Sequence, residues 1–82
     1  MKVLYFAWLR ERIGESEEDV NADGLATVAD LVAALRAKGE RHEAAFADPG
    51  AVRVAVNQKL RDWDAPLAGA YEVAFFPPMT GG

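Results

Sequence analysis

The chain has 82 residues, enough for one small domain and not two. Hydrophobic residues make up 51% and charged residues 27%, a globular balance rather than a disordered one. Thirteen acidic against nine basic side chains leave a formal net charge of -4, which argues against nucleic-acid binding through basic patches. The absence of cysteine excludes a disulfide framework, a thiolate nucleophile and a cysteine-based zinc site. One histidine, His42, and one serine, Ser16, offer almost nothing for a nucleophile–base pair or a metal ligand set. No apolar run approaches the roughly 20 residues needed to cross a bilayer. Met1-Lys2-Val3-Leu4 leads straight into apolar alternation with no small-residue cleavage site after it. The expectation is a cytoplasmic domain, without membrane or nucleic-acid partners, that does no catalysis alone.

Lys2 to Leu9 is rich in aromatic and branched residues and reads as the first strand. Gly14 marks a turn, and Glu17 to Ala22 reads as a returning strand anchored by Val20. Thr27 is a good helix N-cap, and Asp30 three residues later completes a capping-box pattern. Val28, Leu31, Val32 and Leu35 then form one apolar helical stripe, with Arg36 and Lys38 in the last turn and Gly39 as terminator. Glu40 to Ala47 reads as a shorter helix, stopped by Asp48-Pro49-Gly50. Val52, Val54 and Val56 alternate with Arg53 and Ala55 in a further strand. Asn57-Gln58 suggests a turn into a short strand at Lys59 to Arg61. Tyr71 to Phe76 is the last strand, ended by Pro77-Pro78, because proline cannot donate to a ladder. This order suits an α+β domain: a mixed sheet of four to five strands with one main helix across one face.

Strand parity leaves one apolar face too many. With Lys2 and Arg10 facing outward, Leu4, Phe6 and Trp8 follow them, while Val3, Tyr5, Ala7 and Leu9 face the helix. With Glu72 facing outward, Ala74 and Phe76 follow, and Tyr71, Val73 and Phe75 turn inward. If the two strands are neighbours, Leu4, Phe6, Trp8, Ala74 and Phe76 make an exposed patch of the kind that marks an interaction surface. His42, beside Arg41 in a charged segment, reads as a solvated side chain. The acidic run Glu15, Glu17, Glu18, Asp19 and Asp23 reads as a solvated hairpin. Trp63 suits either a satellite of the core or a partner contact.

The sequence closes Phe75-Phe76-Pro77-Pro78-Met79-Thr80-Gly81-Gly82. Pro77-Pro78 favours an extended exit from the sheet, and the six residues from Pro77 reach at most about 20 Å. Gly81 and Gly82 carry no side chains and can thread a narrow channel in another protein. The functional group would then be the Gly82 carboxylate. A carboxylate is a poor electrophile and needs activation, most simply as an acyl-adenylate. Attack by a sulfur donor would give a thiocarboxylate; attack by a lysine would give an isopeptide. Either way the small protein is the substrate.

Val54-Ala55-Val56-Asn57-Gln58 and the ending Glu72-Val73-Ala74-Phe75-Phe76-Pro77-Pro78-Met79-Thr80-Gly81-Gly82 resemble the small subunits of molybdopterin synthases. These belong to the ubiquitin-like β-grasp sulfur carriers, and the resemblance covers essentially the whole chain. It implies a β-grasp domain over residues 1–76 and an extended tail over 77–82. Gly82 would be adenylated by a ubiquitin-activating-like adenylyltransferase that consumes ATP, and then thiolated, so that the only cargo is covalent sulfur and no cofactor is bound. The tail residues Pro77, Pro78, Met79, Thr80, Gly81 and Gly82 would enter the active site of the large synthase subunit in a heterotetramer. There the sulfur would pass to a cyclic pterin precursor. The docking positions that match this sequence are Phe6, Arg10, Leu60 and Phe76. One departure is visible: Ala70-Tyr71 stand where the family commonly has Gly-Asp, and Gly69 would supply the turn one residue earlier. A thiamine-type carrier, a protein modifier conjugated through Gly82 and a non-covalent interaction module are the alternatives; the Pro-Pro element argues against the first.

Overall fold

The computed structural model describes residues 1–78. Strand β1 spans Lys2–Tyr5, helix α1 Trp8–Ile13 and strand β2 Glu17–Asp19. Helix α2 spans Val28–Arg36 and α3 Glu40–Ala45, followed by a single 3₁₀ turn at Pro49–Ala51. Strands β3 (Arg53–Val56), β4 (Lys59–Arg61) and β5 (Glu72–Phe76) complete one five-stranded sheet in the order β2-β1-β5-β3-β4. The central pair β1 and β5 is parallel, and the other pairs are antiparallel. This is the ubiquitin-like β-grasp arrangement expected from the sequence.

The first strand is shorter than its composition suggests. It stops at Tyr5, and Ala7 turns the chain with φ +56°. With ψ at -132° this is a sparsely populated backbone region that costs an L-residue about 1–3 kcal/mol, and here it swings the chain off the sheet into α1. The expected parity ends there. Leu9 is fully buried, as a helical residue rather than a strand residue, and Ile13 four positions on joins it. Ala7 is exposed instead of inward-facing. Trp8 is half-buried against the core, with the Arg12 guanidinium 5.4 Å over its ring. Gly14 closes α1 in the left-handed region, its N–H donating to Arg10 O at 2.8 Å. A Cβ there would sit 2.8 Å from Arg41.

The capping box of α2 is complete. Thr27 Oγ1 accepts from Asp30 N–H, and Asp30 Oδ2 accepts from Thr27 N–H at 3.1 Å. Val28, Leu31 and Leu35 are buried, whereas Val32 is only partly so. Helix α2 ends at Ala37 in right-handed geometry, so Gly39 does not terminate it; Gly39 opens α3 in an extended conformation.

The core lies between the helices and the inward sheet face. Val3 and Tyr5 of β1, Val54 and Val56 of β3, and Val73 and Phe75 of β5 meet Leu9, Leu31, Leu35 and Phe46. Phe75 is its aromatic centre. Its ring stacks on Tyr5 at 6.3 Å and on Trp63 at 6.0 Å, and meets Phe46 edge-on at 4.9 Å. Tyr71, expected inward, lies before β5 and is 63% exposed.

Candidate functional site

Strand register assembles the outward sheet face. Leu4 lies opposite Ala74, Ala74 opposite Ala55, and Ala55 opposite Leu60. Directly paired residues share a face, so these four form an apolar row across four strands. Leu60 is 65% exposed, and Leu4 and Ala55 are half-buried. Ala74 is only 8% exposed, because a short side chain between two occupied strands is shaded by its neighbours. Phe6 extends the row at the end where β5 gives way to the tail: its N–H donates to Phe75 O at 3.1 Å, and its ring is 46% exposed. Phe76 is half-buried at the same end, opposite Arg53.

Of the expected docking residues, Phe6, Leu60 and Phe76 therefore stand on one face, Phe6 and Phe76 at the tail exit and Leu60 at the β4 edge of the row, level with Ala74. Arg10 is exposed, but it sits on α1, so strand parity does not govern its direction. Trp8 leaves the expected patch. Pro77 and Pro78 follow the end of β5 and are half-buried. Met79, Thr80, Gly81 and Gly82 lie outside the described residues.

The β3–β4 turn holds β5 in place. Asn57 and Gln58 have φ of +51° and +69°, the two left-handed residues of a two-residue hairpin. Asn57 then ties down the approach to β5. Its Oδ1 accepts from Tyr71 N–H at 2.9 Å and Glu72 N–H at 3.2 Å, and its Nδ2 donates to Gly69 O at 3.2 Å. Gly69, with φ +77°, occupies the third position of a turn closed by Ala70 N–H to Leu67 O at 2.9 Å. The missing Gly-Asp is thus replaced one residue earlier, as expected.

His42 and Glu18 are not solvated. Glu18 Oε2 accepts from Tyr5 Oη–H at 2.7 Å and sits 2.6 Å from His42 Nε2, while Lys38 Nζ lies 2.7 Å from Oε1. An ionised carboxylate only accepts, so His42 Nε2 carries the proton of that contact. Burial pushes the Glu18 carboxyl up, but the bonds from Lys38, His42 and Tyr5 outweigh it and hold the group down at about 2. Burial, and then the Glu18 bond, raises the Tyr5 phenol far above its usual range. This cluster joins β1, β2, α3 and the end of α2. It fixes the β2 edge and faces the helix side, with Tyr5, rather than the outward sheet face. Trp63, half-buried and stacked on Phe75, lines an apolar groove beside α2, also on the helix side.

Among the described residues no group of three or more histidine, cysteine or carboxylate side chains could hold a metal ion. No described helix is long and apolar enough to cross a membrane. The outward face offers shape and apolar surface.

Comparison with known proteins places the chain in a family. The sequence profile of the ThiS family matches residues 3–82. The chain belongs to the ThiS family. The molybdopterin synthase sulfur carrier subunit of Escherichia coli (strain K12) is 45% identical over 82 residues, spanning 100% of this chain and 99% of that protein. The subunit of the same name from Haemophilus influenzae (strain ATCC 51907 / DSM 11121 / KW20 / Rd) is 37% identical over the same spans. Among solved structures, SAMP1 from Haloferax volcanii superposes with a TM-score of 0.75 at 30% identity, covering 100% of this chain and 98% of that one. A putative molybdopterin converting factor, subunit 1, from Pyrococcus furiosus gives 0.73 at 31% identity over 95% of each chain. This ThiS-family chain thus shares both its full length and its β-grasp frame with sulfur carriers of molybdopterin synthesis.

Proposed function

We propose that this chain is a sulfur carrier in molybdopterin biosynthesis, working as the small subunit of a molybdopterin synthase. The full-length 45% identity to a sulfur carrier subunit carries this reading. The apolar face that converges on the tail exit supports it, because a carrier must dock and insert its end. Residues 1–76 are the docking body and 77–82 the delivery arm.

An adenylyltransferase related to ubiquitin-activating enzymes transfers AMP from ATP to the Gly82 carboxylate and releases pyrophosphate. Sulfur at the oxidation level of sulfide then displaces AMP and leaves a thiocarboxylate. Phe6, Leu60, Phe76 and Arg10 seat the body on the large synthase subunit, and Pro77 to Gly82 reach its active site. The Gly82 sulfur attacks a carbon of the pterin precursor and displaces an oxygen substituent from it, which leaves with the bonding pair, so that an acyl–sulfur bond joins the two. Hydrolysis of the acyl–sulfur bond leaves sulfur on the acceptor and returns a carboxylate. A dithiolene holds two sulfurs, so each product consumes two loaded chains. The catalytic groups belong to the large subunit.

The missing cysteine makes the test clean. The chain is co-expressed with its adenylating partner, treated with a thiol alkylator and mapped by mass spectrometry. Mapping is needed because oxidation of Met1 or Met79 adds nearly the mass of an oxygen-to-sulfur exchange. An adduct confined to Gly82 is expected. An unreactive Gly82 beside a working control carrier, or lysine-linked conjugates in its place, would overturn the reading.

A further inference from the structure

The outward face is apolar along its middle and charged at its two ends, and the ends differ. At the end where β1 and β5 begin, charges are matched. Lys2 lies opposite both Asp19 and Glu72, and its Nζ is 3.4 Å from Glu17. At the tail end stands Arg53. It lies directly opposite Phe76 in the β3–β5 register, on the face it shares with Ala55, and it is exposed. Among the described residues no ion pair or side-chain hydrogen bond engages its guanidinium. An unpaired cation beside the last strand residue is a poor neighbour for an apolar interface. Covering Phe76 strips water from Arg53 as well, and a desolvated guanidinium demands an acceptor.

We propose that Arg53 is a specificity residue of the docking face, pairing with a carboxylate on the rim of the large-subunit pocket that receives the tail. This rests on the sulfur-carrier reading and adds to it the chemistry of the partner wall. The guanidinium suits a carboxylate because its fork can bond both oxygens. Its place opposite Phe76 puts the pair at the mouth of the channel, where it fixes the tail's direction of entry. In a chain with a net charge of -4, an acidic partner wall meets general repulsion everywhere except at such a cation. The pair therefore sets orientation as well as affinity.

The molecule supplies its own control. Arg61 lies opposite Val54, on the other face of the sheet; it is also exposed and borders the same edge groove as Arg53, so it carries the same local charge from the opposite face. Binding of the full chain to the large synthase subunit is measured by calorimetry at low and high salt for wild type, Arg53→Gln, Arg53→Glu and Arg61→Glu. Thermal melts confirm that each variant is folded. At low salt Arg53→Gln should weaken binding about tenfold and Arg53→Glu by more. Both should flatten the salt dependence seen for wild type, and Arg61→Glu should bind within about twofold of wild type, as an exposed charge on the opposite face of the sheet does. Unchanged affinity and salt dependence in both Arg53 variants would overturn the proposal. Equal weakening by Arg61→Glu would also overturn it, by assigning the effect to net charge. Failure of the wild-type chain to bind would instead contradict the sulfur-carrier reading, and this proposal with it.

Discussion

Phe75 and Phe76 are neighbours in β5 with opposite surroundings. Phe75 points inward and is fully buried among Tyr5, Phe46 and Trp63. Phe76 points outward, half-buried, in line with Ala74 and opposite Arg53. The strand makes both faces apolar, yet the helices cover only one. The difference separates two uses of the same side chain. Apolar area closed within the chain stabilises the fold; apolar area left open is, on the carrier reading, the surface offered to a second protein.

The sharpest break in this contrast is Phe75→Ala. It should destabilise the fold by about 3–5 kcal/mol, read from chemical denaturation. Phe76→Ala should cost less than about 1 kcal/mol, since a surface position loses little when truncated. Comparable losses at both positions would erase the distinction between the faces.

Phe76→Asp attacks the outward face. Docking would bury an unpaired charge, so affinity for the large subunit should fall by at least about thirtyfold. The melting temperature should stay near that of wild type. Unchanged binding would remove Phe76 from the interface.

Glu18 tests the polar edge. Its folded carboxyl sits at about 2 against an ordinary 4.5, so the group contributes stability above pH 4.5 and loses it as pH falls toward 2. With Lys38 nearly half exposed, that contribution is about 1–2 kcal/mol. Glu18→Gln should lower stability at neutral pH and flatten the acid limb of the stability–pH curve. A variant that keeps the wild-type curve would show that the cluster holds nothing. A smaller effect is expected at Thr27→Ala, where loss of the N-cap should cost about 1 kcal/mol with no change in docking.

Much of this was legible in the sequence. The capping box at Thr27 and Asp30 uses local signals and formed as read. So did the Asn57-Gln58 hairpin and the end of β5 at Pro77. The outward direction of Phe6 and Phe76 followed from two-residue periodicity. Helix α1 was not legible, because Lys2 to Leu9 has one strand-like composition throughout and the break falls at Ala7, a residue that carries no turn signal. Leu9 and Ile13, four apart and both buried, were the available hint. The Glu18–His42 pair spans 24 residues, and only the packing of α3 against α1 and α2 carries His42 to the β2 side chain. Arg53 drew no attention in the sequence, since an outward arginine in a strand is ordinary. Its significance comes from standing opposite Phe76.

Single-turnover transfer tests the central claim most directly. Thiocarboxylated chain, prepared with the adenylating partner, is mixed with the large subunit and pterin precursor, and the mass at Gly82 is followed over time. The expected result is loss of sulfur from Gly82, return of the carboxylate, and two chains discharged for each dithiolene formed. A chain that keeps its sulfur while bound to the large subunit, or a dithiolene formed equally well by a chain lacking Gly82, would contradict the carrier role.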